Sequence, residues 1–331
     1  MSRHFFALSA SCALLALATM PDTLAAPPRV ARRPKPAAIQ GVQIFPADNV
    51  WNTRIDHLPV DSRSDAYINR IGPTDAVHAD FGSGTYQGGP IGIPFVLVPG
   101  SQPRVPISFY YADESDPGPY PFPPNAPIEG GSRSRGDRHV LAIDADNGVL
   151  YETWKSYPLR GGAKWIVGSG AIFDLQSNAL RPDGWTSADA AGLPVFAGLA
   201  LYDEVASGEI RHALRFTVAE TRRAYLWPAR HYASSSDDPD LPPMGQRFRL
   251  NDAFDISGFS PEVQVILVAL KRYGMFLADN GSNFFLSGAP DERWDNDVLQ
   301  ELGQVQGADF EAVDESSLMI DSDSGQAWQG P

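Results

Sequence analysis

Cysteine is nearly absent: the 331-residue chain has one, Cys12, and it lies within an apolar N-terminal run. That run, Phe5 to Ala18, follows a short polar start at Arg3 and His4. It precedes Thr23-Leu24-Ala25, a small-residue cleavage pattern, so residues 1–25 read as an export signal. The expected mature protein is cysteine-free and secreted, extracellular or periplasmic. Disulfides, thiolate nucleophiles and zinc-thiolate centres are thereby excluded from it. Long hydrophobic runs are also missing, because Phe5 to Ala18 is too short to span a bilayer. Basic residues are few. Five of the 26 lie before Gly41 against one of the 40 acidic residues, leaving 21 against 39 and a net charge of −18 from Gly41 onward. Such a surface repels phosphate backbones, so nucleic acid is not an expected partner. The five-residue G-x-S-x-G nucleophile elbow does not occur, and the G-x-G at Gly82 to Gly84 is followed by a strand pattern, which excludes the dinucleotide fingerprint.

What remains suffices for a core, with 43% of residues hydrophobic. Residues 26–43, rich in proline and cations, read as a tether. Residues 44–316 read as one β-rich globular domain, and residues 317–331 as a flexible tail. Short apolar segments punctuated by glycine and proline suit strands at 91–98, 105–111, 138–144, 149–155, 165–175, 210–218, 224–232 and 246–250. Ser260 as N-cap, Pro261 at the first position and the stripe Val263, Ile266, Leu267, Leu270, Tyr273 predict a helix ending at Gly274. A shorter helix is expected over Asp295–Leu302. The expected class is mainly β, a sandwich or jelly-roll arrangement of antiparallel sheets with a few peripheral helices.

Asn147-Gly148 between two alternating runs signals a two-residue hairpin that pairs Ile143 with Glu152 and Leu141 with Trp154. His139, Leu141, Ile143, Leu150, Glu152 and Trp154 then share one face. A carboxylate and an imidazole on an apolar face are either satisfied structural groups or tuned site residues. His212 repeats the anomaly in the row Ile210, His212, Leu214, Phe216, Val218. Trp227, Arg230 and His231 end a strand interrupted by Pro228, where they suit either a ligand or an ordinary strand terminus. Gly168 to Gly170 leave a groove beside Asp174. The loop Asp113 to Gly118 pairs carboxylates with a proline-stiffened aromatic platform, and calcium is the cofactor it suggests, though none is required. Asp279 sits in a turn dense in Asp and Asn, as a connector or one wall of a site.

The segments FPADNVWN from Phe45, ADESDPGPYPFPPNAPIEGG from Ala112, GDRHVLAID from Gly136, RHALRF from Arg211, WPARHYASSS from Trp227 and LADNGSNFFLSGAPDERW from Leu277 resemble those of an uncharacterised group of secreted bacterial proteins. The resemblance covers about Phe45 to Val313. It implies export and one domain, and it carries no activity and no site residues.

The residues point first to a secreted glycan-active enzyme, a glycoside hydrolase or polysaccharide lyase, with a polysaccharide or cell-wall glycan as partner. Trp154, Trp165, Trp185 and Trp227 are candidate sugar platforms, with Arg230, His231 and Asp279 as further substrate contacts. For hydrolysis Glu152 is the candidate acid, with Asp174 or Asp113 as second carboxylate. For elimination His212 or His139 is the base and Arg230 offsets the substrate carboxylate. Two alternatives stay open: a non-catalytic carbohydrate-binding module, and a metal-dependent enzyme using His139, His212 and a carboxylate.

Overall fold

The computed structural model describes residues 38–39 and 42–329. The expected export signal, most of the expected tether and the last two residues lie outside them. The fold is mainly β, built on one four-stranded and one six-stranded sheet with a smaller three-stranded sheet and short helices around them. No helix among the described residues is long and apolar enough to cross a membrane.

In the four-stranded sheet Ser169–Asp174, Val149–Trp154 and Val140–Asp144 run antiparallel, and Phe95–Val98 joins parallel at one edge. Period-two alternation gives this sheet two buried faces. Leu141, Ile143, Leu150, Ala171 and Phe173 enter the main core, while Val140, Ala142 and Tyr151 enter a second one with Tyr120, Phe122, Trp165 and Val167. Each large side chain fully buried there contributes about 1.5–3 kcal/mol.

The hairpin departs from expectation in its turn. Asp144 pairs with Val149, Ile143 with Leu150 and Leu141 with Glu152, so Ala145–Gly148 form a four-residue loop. The cause is Asp144, whose carboxylate accepts from the amide (3.1 Å) and the side-chain Nδ2 (2.8 Å) of Asn147 and holds the loop open. Because the register moves by two residues, each side chain keeps its expected face.

The six-stranded sheet has the order Phe310–Ala312, Arg247–Leu250, Met275–Asn280, Leu214–Val218, Phe285–Ser287, His78–Asp80. Its pairs are antiparallel except Leu214–Val218 with Met275–Asn280 and Phe285–Ser287 with His78–Asp80. Leu214, Phe216 and Val218 enter the core; Arg215 projects from the opposite face and is buried all the same. A bulge after Phe216 sets Thr217 opposite Asp279, which turns Asp279 to the side that carries Arg215.

The segment 165–175 divides at Gly168 into Lys164–Val167, in the three-stranded sheet, and Ser169–Asp174. The segment 224–232 is not a strand; only Tyr225 forms an isolated bridge, to Met244, and Pro228 lacks the amide a ladder would need. His212 likewise precedes its strand, which begins at Leu214. Residues 318–327 do not trail away. Leu318 and Ala327 are buried, and Ser324 and Gln326 bridge to Ala179 and Asn49.

The expected helix spans Pro261–Arg272, with Val263, Ile266, Leu267 and Leu270 buried. Ser260 uses its hydroxyl on Glu301 (2.5 Å) rather than as a cap. The shorter helix is confined to Asn296–Leu299, capped by Asp295, and continues as a 3₁₀ turn over Gln300–Gln304. After the long helix Gly274 turns at φ 65°, and a Cβ there would meet the Phe248 carbonyl oxygen at 2.3 Å. Positive φ and backbone collision act together, so Gly274→Ala is expected to cost about 2 kcal/mol or more. An unchanged urea midpoint would contradict this.

Candidate active site

Between the two large sheets lies a group of buried ionisable side chains. The strand alternation delivers Arg215 to it, and a carboxylate is the partner a buried guanidinium requires. Asp189 supplies one in a two-pronged pair, Nε to Oδ2 at 3.1 Å and Nη2 to Oδ1 at 2.9 Å, while Nη1 donates to Ser287 Oγ at 2.6 Å. Asp279 stands beside them. Burial, and then the charge of Asp189, push its carboxyl up to about 8.

His139 completes this centre from the other sheet. Its Nδ1 lies 2.7 Å from Glu129 Oε2 and its Nε2 2.9 Å from the Ala188 carbonyl oxygen. Both neighbours are acceptors, so both ring nitrogens must donate and the ring is an imidazolium. Burial alone would lower its pKa; the Glu129 carboxylate overrides this and raises it to about 10. In return, His139 holds the Glu129 carboxyl below the usual range, against the effect of its own burial. Glu152 is next to this network, both oxygens engaged by the amides of Val195 (2.9 Å) and Phe196 (2.7 Å) at the start of the turn Phe196–Gly198. Burial pushes it up to about 7 against those two donors.

Three of these groups tilt stability the same way. Asp279 and Glu152 are raised acids, so the fold gains from them at low pH and loses that gain as pH rises to about 8 and about 7. His139 is a raised base whose contribution is full below its unfolded value and lost as pH climbs to about 10. Stability is therefore expected to fall from pH 5 to pH 9. Asp279→Asn should flatten the part of that slope between about pH 4 and 8. Urea midpoints at pH 5, 7 and 9 check this, and parallel curves for the two proteins would refute it.

Glu129 is where the buried centre meets solvent, its side chain 23% exposed against 4% for His139. It opens into a cleft of about 1130 Å³ that is also lined by His78, Asp80, Phe285, Tyr86, Arg133, Arg135 and Gln300. The cleft forms because His78–Asp80 is an edge strand, leaving that side of the six-stranded sheet uncovered. His78 packs against Phe285 across the parallel pair in a tilted contact, with ring centroids 4.3 Å apart. Another wall is residues 129–136. The hairpin Thr85–Tyr86/Gly89–Pro90 can close against it only because Gly89 lacks a Cβ, which would sit 2.0 Å from the Gly130 carbonyl carbon. Asp80 is reached by water in the cleft yet hemmed by protein. That enclosure, and then the charge of Glu129, raise its carboxyl above the ordinary range.

Of the residues singled out from the sequence, Glu152, His139 and Asp279 come together in the buried centre, and none of the others joins them. His212 is buried elsewhere, Nε2 3.0 Å from Glu204 Oε2 and Nδ1 2.8 Å from the Ala213 carbonyl oxygen, so it too is an imidazolium. Asp174 is exposed and accepts from the Gln176 amide. Asp113 is exposed in the turn Ala112–Glu114. In the same loop Asp116 is held by Arg181 and by the Ile172 amide. Trp165 is fully buried and offers no ring to a ligand. Trp154 is half-buried, its Nε1 bonded to Asp137 (2.8 Å). Trp227 and Arg230 fasten the chain end: Trp227 Nε1 to Ser324 O at 2.8 Å, Arg230 to Ser322 O at 2.7 Å and Asp323 at 2.6 Å. His231 Nδ1 lies 2.8 Å from the Ala190 carbonyl oxygen. Among the described residues no three His, Cys, Asp or Glu side chains are grouped so as to hold a metal ion.

Sequence reading missed Asp80, Glu129, Arg133 and Arg135. The run Glu129-Gly-Gly-Ser-Arg-Ser-Arg-Gly136 carried a signal, two arginines in a glycine-serine loop of an acidic chain. No family model, curated protein or solved structure matches the chain.

Proposed function

We propose that the protein is a secreted glycan-active hydrolase whose acid and base are Asp80 and Glu129. The observation that carries this reading is the presence of two carboxylates on one open cleft with opposite proton affinities, Asp80 raised and Glu129 lowered. Glycosidic hydrolysis needs this division of labour. One carboxylic acid protonates the leaving oxygen, and one carboxylate activates water or attacks the sugar carbon. Asp80 suits the first role and Glu129 the second, with His139 fixing the orientation and charge of Glu129 from behind. Tyr86, 68% exposed, and Phe285 offer ring faces to a sugar at the same cleft. Elimination with His139 or His212 as base is disfavoured, since each ring donates from both nitrogens and has no lone pair to receive a proton.

The test is incubation of the mature protein with a polysaccharide panel, following reducing ends and the ultraviolet absorbance of unsaturated products. New reducing ends without that absorbance are expected. Unsaturated products would replace hydrolysis by elimination, and neither signal on any glycan would remove the enzymatic reading.

A further inference from the structure

Resting on that reading, we infer that the cleft is built for an anionic polysaccharide, whose carboxylate or sulfate groups are received by Arg133, Arg135 and the backbone amides of the loop that carries them. The body from Gly41 onward has a net charge of −18, yet this wall of the cleft is cationic. Arginines on so acidic a protein ordinarily find carboxylates, as Arg181, Arg215, Arg230, Arg247, Arg249 and Arg293 do. Arg133 and Arg135 have no hydrogen-bond or ion-pair partner among the described residues, and both are exposed on the cleft.

The loop beneath them is held in one shape from inside. Arg138, 2% exposed, donates through Nη1 to the carbonyl oxygens of Ser132 (3.1 Å), Ser134 (2.9 Å) and Gly131 (3.4 Å) and through Nε to Ser156 O (3.0 Å). A buried guanidinium thus occupies the loop's carbonyls, while the amides of Ser132, Arg133 and Arg135 bond to nothing in the described chain. Positive φ at Gly130 (65°) and Gly131 (80°) starts the turn. Free amides beside two guanidiniums, with the carbonyls drawn away, form an anion-receiving surface. Planar guanidinium forks match carboxylate and sulfate oxygens. The two cleft carboxylates do not oppose such a ligand: the Glu129 charge is balanced by the imidazolium behind it, and Asp80 acts in its neutral form.

The experiment measures binding and turnover separately. Asp80→Asn, with its fold checked by circular dichroism, is titrated with a polyuronate, a sulfated glucan that contains no uronate and a neutral glucan at two salt concentrations, with and without Arg133→Gln/Arg135→Gln. The polyuronate or the sulfated glycan should bind and the neutral glucan should not. The arginine pair should account for about tenfold or more in Kd, with affinity that weakens in salt. Whichever of the two anionic chains binds identifies the group as carboxylate or sulfate. Equal binding of the neutral glucan, no loss in the double variant, or no glycan bound at all overturns the inference. If Asp80→Asn does not fold, KM against kcat of the otherwise wild-type double variant replaces it, and KM should rise about tenfold or more with kcat changed less. Hydrolysis of a neutral glycan with KM indifferent to both arginines would sink the anionic substrate and leave the hydrolase standing. Arginine-dependent anionic binding without turnover would do the reverse.

Discussion

Glu129→Gln should lower kcat by about 10²–10⁴-fold on whichever glycan the wild type cleaves, and Asp80→Asn by a similar factor. The amide at position 129 keeps an oxygen for His139, so binding should survive while the attacking or activating charge is lost. The two variants should differ in pH dependence. Activity in the wild type requires Glu129 ionised and Asp80 protonated. It should therefore fall toward acid as Glu129 is titrated below the ordinary carboxylate range, and toward alkali as Asp80 ionises above it. The optimum should lie between those two limbs. The residual activity of Asp80→Asn should lack the alkaline limb, and that of Glu129→Gln the acid limb. Progress curves from pH 3 to 9 read both, and a wild-type rate retained in either variant would show that the reaction takes place elsewhere.

A second large effect concerns stability and is independent of the substrate. Replacing Arg215 with Met leaves Asp189, with 0% side-chain exposure, without its bidentate partner. Removing one member of such a pair typically costs about 3–5 kcal/mol, because the penalty is that of an uncompensated buried charge. Arg215→Met should accordingly lower the urea midpoint strongly. Adding Asp189→Asn should recover much of the loss, because the stranded charge goes as well. If the single variant denatures like the wild type, the pair is not the electrostatic anchor between the sheets. The same background tests its link to Asp279, whose neutral carboxyl hydrogen-bonds Asp189 and feels the Arg215 charge.

Local chemistry was readable where the cause was local. The helix Pro261–Arg272 follows from an N-terminal proline, a 3.6-residue apolar stripe and a following glycine, all within fourteen residues. The strands Val140–Asp144 and Val149–Trp154 follow from alternation, and their face assignment survived a wrong turn because a shift of two preserves parity. The segment 224–232 was misread as a strand because its apolar spacing gives no sign that the neighbouring chain supplies a bridge and not a ladder. The segment 317–329 was misread as a tail because its anchors, Trp227 and Arg230, lie about ninety residues away.

The anomaly of polar groups on an apolar face was also legible, and it led to Glu152, His139 and Asp279. Their use was not. Whether His139 is a base or an imidazolium depends on which atoms end its two hydrogen bonds, and Ala188 lies 49 residues further along the chain. Asp80 and Glu129 left no local trace, because each is an ordinary exposed-looking acid until the edge of one sheet and a loop from another are brought around the same hollow. By itself the amino-acid order determined what each segment can hide from water, and with it the strands, the main helix and the acidic, cysteine-poor character of the body. Only the tertiary structure decided which charges face one another, since field and desolvation depend on distance through space and not on separation along the chain.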